Sequence, residues 1–221
     1  LPFIHCEEVP TFVNLRAFQY SGFMGNSTPN FFLIYLAAFI SVVAFSMVFP
    51  LLPVYAKYFQ ASDITIGLLA ASFAIAQLLF SPFWGVMSDR FGRRPIIIIG
   101  LLGLSLSFLI FAFAANLLFL FVFRFIQGIF SGATMPAARA YIADITTKEL
   151  RIAAMGRIGA ALALGIILGP AIGGLLAQHN IVLPFFAAAV VSGLNLLLVY
   201  FFLPESLQKK KFQAINLKLT F

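Results

Sequence analysis

The chain has 221 residues, of which 62% are apolar and 10% charged, and its mean hydropathy is +1.04. Soluble domains carry roughly 45–50% apolar and about 25% charged residues, so in water this chain would expose very large apolar patches; its solvent must be a bilayer. The net charge of +7 does not point to nucleic acid, because the basic residues sit in short connections between apolar runs and form no patch on a folded domain.

The chain opens on Leu1, and residues 1–23 lack the basic start and apolar run of a signal peptide. Met24 begins a short polar run that reads as a lead into the first span, so Met24 is the expected native start. Residues 1–30 are expected to form a poorly ordered extension, 31–203 a six-helix bundle, and 204–221 a basic segment leading to a second half. The single cysteine, Cys6, allows no internal disulfide and no cysteine metal site.

Six apolar stretches follow, over about 31–55, 64–84, 95–115, 117–140, 152–176 and 182–203. Each is long enough to cross a ~30 Å hydrocarbon core, which takes about 20 helical residues. Barrel strands would be shorter and alternate in polarity, so the fold class is all-α membrane protein with six transmembrane helices. One set of connections holds Arg90, Arg93, Arg94, Lys148, Arg151 and Lys209 to Lys211; the other holds Lys57 and His179. This asymmetry puts both chain ends in the cytoplasm. Pro50 and Pro53 fall near the outer end of the first span, and Pro136 is expected to interrupt the fourth. Such prolines mark either bending elements or kinks needed only for packing.

Between the second and third spans, Gly85, Asp89, Arg90, Gly92, Arg93 and Arg94 are packed into ten residues. A basic anchor would explain the arginines but neither the glycines, which permit tight turns and close approach, nor Asp89. In the fourth span, steps of three, four and three residues put Arg124, Gln127, Ser131 and Thr134 on one helix face. A charge at the depth of Arg124 costs at least ~2.5–3.5 kcal/mol against lipid, so it should face a wet cavity or a partner, unless it snorkels to the outer surface. The fifth span carries Gly156, Gly165, Gly169, Pro170, Gly173 and Gly174, a strip that lets another backbone approach closely. Ser41, Ser46, Gln77 and Asn195 are further candidates for a central cavity. Arg139 and Arg157 lie near span ends and are expected to snorkel. Asp63 reads as a helix N-cap. No acid sits deep in a span. There is no Cys/His/carboxylate cluster, no nucleophile–base pair in the spans and no phosphate-binding loop, so no enzyme, metal, cofactor or ATP-driven pump is expected.

The connection from Gly85 to Arg94 resembles the loop motif of the major facilitator superfamily, Gly-x-x-x-Asp-Arg-x-Gly-Arg-Arg/Lys. The resemblance implies a half of a twelve-span transporter built from two inverted three-helix units. It implies that Asp89 latches the halves together on the cytoplasmic side, and that Arg93 pairs with an acid on the fourth helix, for which Asp144 is the candidate. Arg124 to Gly128 is similar to the family's Arg-x-x-Gln-Gly run, whose arginine is linked to proton coupling. The glycine strip of the fifth span looks like the antiporter motif of drug:proton exporters, although an ordinary packing face would have the same spacing. The first span looks like that of tetracycline exporters, but Ser41 stands where those carry an aspartate. That departure moves any proton-binding carboxylate to the second half. Leu203-Pro204-Glu205-Ser206 is similar to the superfamily's usual ending of the sixth span. The function implied is proton-coupled efflux of small amphipathic compounds, with the bilayer, a small-molecule substrate, protons and a second six-helix half as partners. A metabolite exporter or importer of the same superfamily, or a non-transporting six-helix protein, are the alternatives.

Overall fold

The structure of the protein, a computed structural model, describes residues 31–206. The expected extension over 1–30, with Met24, and the basic run from Lys209 to Lys211 lie outside the described residues. Among the described residues, six helices are long and apolar enough to cross a membrane. The first is broken: α1 (Phe31–Val48) passes through a 3₁₀ turn (Phe49–Leu51) into α2 (Leu52–Tyr58). Pro50 and Pro53 sit in the first turns of the 3₁₀ segment and of α2, where a missing N–H costs least. The remaining spans are α3 (Asp63–Phe91), α4 (Arg93–Phe111), α5 (Leu117–Ile145), α6 (Lys148–Ala177) and α7 (Leu183–Phe202).

Three details differ from expectation. Asp63 is not the cap of α3: Ser62 is, with extended backbone and an Oγ that accepts from the Thr65 N–H at 3.2 Å. Asp63 follows as the first helical residue, where its charge favours the helix N-terminus and lies 3.5 Å from Lys57. Pro136 does not interrupt the fourth span, since α5 runs through it; the carbonyl it leaves unbonded belongs to Gly132, against which α3 packs at Ser81. The motif from Gly85 to Arg94 is hardly a loop. Residues up to Phe91 continue α3, Arg93 starts α4, and Gly92 alone makes the turn, at a φ of 113° that side-chain-bearing residues rarely adopt.

The packing has an internal symmetry. The main helix contacts are α1 with α6, α3 with α5, α1 with α7, α4 with α5, and α4 with α7. Exchanging the first three spans for the last three maps this set onto itself: α1 with α6 becomes α5 with α3, α1 with α7 becomes α5 with α4, and α4 with α7 returns to itself. Because each unit crosses three times, the second runs opposite to the first. The bundle is therefore a 3+3 inverted repeat.

Backbone proximity at glycines holds these pairs. A Cβ at Gly128 would collide with the Phe73 carbonyl of α3, and one at Gly173 with the Met47 carbonyl of α1. One apolar cluster fills the end that carries Gly92, around Ile96, Tyr141, Ile142 and Leu203; the other fills the opposite end, around Leu52, Tyr55, Phe108, Phe111 and Phe185. Phe111 and Phe185 stack there at 5.0 Å. α3 and α6 are the least enclosed spans, with 11% and 17% of their apolar windows buried against 33–50% in the others.

Gly128→Leu is expected to lower the melting midpoint and folded yield of the natural gene product in detergent, since overpacking a tight contact costs about 1–3 kcal/mol or more. Gly174→Leu, where a Cβ meets nothing within 4 Å, should melt close to the parent. Equal midpoints for the two variants would contradict the packing described.

Candidate functional site

A cavity of about 510 Å³ opens where the two three-helix units face each other. Its aromatic wall comes from Phe45, Phe49, Phe73 and Phe108, its aliphatic part from residues such as Leu104, Leu162 and Ile166. Gln77, Ser131, Thr134 and Arg139 supply polar groups, together with Ser41, Ser46 and Ser192. A largely apolar concavity with a few placed polar groups is what a small organic ligand requires. Gln77 Nε2 donates to Ser131 Oγ at 3.0 Å, joining α3 and α5 across the wall. Ser46 Oγ donates to the Gly165 carbonyl at 2.8 Å and joins α1 to α6.

Arg124 lies behind the aromatic wall. It is 1% exposed, and its Nη1 donates to Gln127 Oε1 at 2.8 Å. The guanidinium carbon sits 5.1 Å from the Phe73 ring centre, 5.6 Å from Phe45 and 5.9 Å from Phe49. Its Nε and Nη2 have no partner among the described residues, nor does Gln127 Nε2. Three ring faces are a weak substitute for a carboxylate; desolvated cation–π contacts contribute about 2 kcal/mol or more. The arginine neither snorkels nor opens onto the cavity. It is enclosed by the rings that do.

Another cavity expectation needs correction. Asn195 is fully buried between α7 and α1, where its Nδ2 donates to the Ala37 carbonyl and to Ser41 Oγ, both at 2.9 Å. It ties helices together and does not line the cavity. Arg139, which was not expected at the cavity, is exposed and lines it. The sixth span is apolar nearly all round and gives no direction for Asn195, while Arg139 lies off the Arg124 to Thr134 face of the fourth.

The end that carries Gly92 holds a charge cluster. Arg93 Nε donates to Asp144 Oδ2 at 2.9 Å, while Nη1 lies 2.6 Å from Asp89 Oδ1 and donates to Ser88 Oγ at 3.1 Å. One guanidinium thus joins the end of α3, the start of α4 and the end of α5. Arg90 rests on the Phe91 ring, and Arg94 donates to the Tyr200 carbonyl. Gly85 meets nothing within 4 Å, so it serves no close approach among the described residues. In the sequence Glu205 reads only as part of the ending of the sixth span, with no partner assigned to it. Its carboxylate accepts the backbone N–H groups of Arg93 at 2.9 Å and Arg94 at 3.2 Å, capping α4 from beyond the last span. A Cβ on Gly92 would meet that carboxylate. The available signal was that α4 opens on Gly-Arg-Arg-Pro, with no local side chain able to cap it.

The glycine strip of α6 divides. Gly165, Gly169 and Gly173 press on α1 at Val42, Ser46 and Met47, and Pro170 lines the cavity. Gly156 and Gly174 meet nothing within 4 Å.

Residues 34–218 match the family model described as the Major Facilitator Superfamily. The chain belongs to that superfamily. It is 40% identical over 183 residues to Multidrug resistance protein 2 of Bacillus subtilis, covering 82% of this chain and 46% of that relative. It is 39% identical over 170 residues to Tetracycline resistance protein, class B, of Escherichia coli, covering 76% and 42%. Quinolone resistance protein NorA of Staphylococcus aureus is 36% identical over 160 residues, covering 72% and 41%. The chain therefore spans about half the length of the curated relatives it matches. Among solved structures, the human organic anion transporter MFSD10 superposes with a TM-score of 0.72 at 26% identity, over 80% of this chain and 48% of its own. A bacterial homologue of the lysosomal transporter Spinster, inward-facing and occupied, gives 0.72 at 19% identity over 83% and 46%, a likeness of fold alone. The protein is an integral membrane protein of a transporter family.

Arg93→Ala and Asp144→Ala in the natural gene product should be strongly non-additive in thermal stability. A double-mutant cycle is expected to give a coupling of roughly 0.5–3 kcal/mol, the range for contacting residues. Simple additivity would show that the contact carries no energy.

Proposed function

We propose that this chain is one half of a secondary transporter that exports small amphipathic compounds in exchange for protons by alternating access. The observation that carries the reading is the cavity between the two inverted units, walled by aromatic rings with Arg124 behind them. A site at the junction of repeats is where rocking of one unit against another would expose a ligand to each side in turn. The resistance named for the bacterial relatives is the effect that export would have. Proton exchange needs a group whose protonation changes between states. No carboxylate lines this cavity among the described residues, so that group belongs to the second half. The weakly enclosed flanks of α3 and α6 support a place for that half on either side of the cavity.

The basic cluster at Arg90, Arg93 and Arg94 with Lys148 and Arg151, against Lys57 and His179 at the other end, supports a cytoplasmic Gly92 turn in a bacterial plasma membrane. In that orientation Asp89, 68% exposed though paired with Arg93, is free on one side to face a helix N-terminus of the second half. It would act as a latch that opens when the halves separate. Ser41 Oγ is committed to Ala37 and Asn195, which disfavours a direct substrate role for it.

Arg124→Ala in the natural gene product should reduce energised efflux by at least about tenfold, equivalent to ~1.4 kcal/mol. Efflux would be followed as fluorescence loss from preloaded cells across a panel of drugs and dyes, at matched expression. Unchanged efflux in that variant would remove the coupling assignment, and no efflux of any compound by the parent would remove the transport reading.

A further inference from the structure

Arg139 has no part in the reading above, yet it is the charged residue among the described residues that line the cavity. It sits in α5 about 12 Å along the helix from Ser131, taking ~1.5 Å per residue over the eight positions between them. No hydrogen bond or ion pair joins it to the described residues, and its side chain is exposed to the open cavity. A charge within a membrane span that faces lipid is strongly disfavoured, so this placement in a wet recess is the tolerable one. The second charge near the cavity is also an arginine, Arg124, behind the rings of Phe45, Phe49 and Phe73. Both charges that bear on the space are therefore positive, and no acid of the described residues lines it.

We infer that Arg139 is a specificity residue that receives the negative group of an amphipathic organic anion, whose apolar body lies along the aromatic wall. The inference rests on the reading of the cavity as a transport site and narrows its substrate class. In a wall that is mostly apolar, attraction between a guanidinium and an anion is several times stronger than in bulk water. Arginine also offers a planar fork of donors that fits a carboxylate or sulfonate. The ~12 Å between Ser131 and Arg139 suits a drug-sized molecule with rings at one end and an acid at the other. A lipophilic cation of the same size would meet an unpaired like charge at that end.

The test uses the natural gene product in nanodiscs and three probes with one aromatic body: pyrenebutyrate, its methyl ester, and a pyrenebutyl trimethylammonium salt. Binding is read by pyrene fluorescence after subtraction of empty nanodiscs. The parent protein should bind the acid at least about tenfold more tightly than the ester, the size of effect that one charge-assisted hydrogen-bonded pair supplies. The cation should bind most weakly. Arg139→Gln should bring the acid-to-ester ratio close to one, and Arg139→Lys should keep most of it. Three results would overturn the inference: equal binding of acid and ester by the parent, preference for the cation, or an equal loss of all three probes in Arg139→Gln. The last would mean that Arg139 pairs with an acid of the protein instead of a ligand. The parent's ratio reads without any variant, so poor folding of Arg139→Gln leaves the inference exposed to refutation. Efflux of the same probes from energised cells separates the two readings: a preserved acid preference with no efflux would defeat the exporter and leave the anion site standing.

Discussion

Lipid tails are as apolar as leucine, so a helix bundle in a bilayer gains little by hiding apolar side chains from its surroundings; helix association depends on close van der Waals contact and hydrogen bonds. In this chain the contact is made where glycines let one backbone lie on another. Gly128 brings α5 onto the Phe73 carbonyl of α3, and Gly169 and Gly173 bring α6 onto Ser46 and Met47 of α1. Both pairings run between the two units and are exchanged by the internal symmetry, so one type of contact is used twice. Their depth sets how far apart the units stand on the open side, and hence the size of the cavity. Side chains such as Ser46 and Asn195 then add the cross-helix hydrogen bonds that fix the rotation of each helix.

On that frame the placement of charge follows. Arg124 can be buried only because Phe45 and Phe49 of the first span and Phe73 of the second turn their faces towards it. The break at Pro50 lies beside this contact, where the first span changes from α1 to the 3₁₀ turn that carries Phe49. At the other end, Arg93 draws three helices together while Glu205 holds the start of α4 from beyond α7. The chain leaving the sixth span is thus tied to the turn that follows Asp89. A movement that pulls on either would be felt by the other.

Much of this was legible in the sequence. Span number followed from length and hydropathy, and the spacing of Arg124 and Gln127 by three residues placed them where a hydrogen bond between them forms. What was not legible was which face a polar residue would occupy. In a soluble helix the apolar stripe marks the inside, but spans apolar all round give no such direction. Asn195 is misassigned to the cavity for this reason, whereas Arg139 is missed because it lies off the Arg124 to Thr134 face of its span. The capping role of Glu205 went unseen because it depends on a meeting between residues more than a hundred positions apart. The Gly85 to Arg94 segment was read as a loop because its charges look solvent-exposed. None of its residues before Gly92 forbids a helix, however, and the helix runs on.

The central claim, exchange of substrate for protons, is tested most directly by the proton movement itself. Inverted membrane vesicles carrying the natural gene product are acidified inside by respiration, and the lumen is followed with a pH-quenched dye. Addition of a transported compound should release quench within seconds and in proportion to the amount of protein, as protons leave the lumen against substrate entering it. Substrate accumulation without any change in quench would contradict the account.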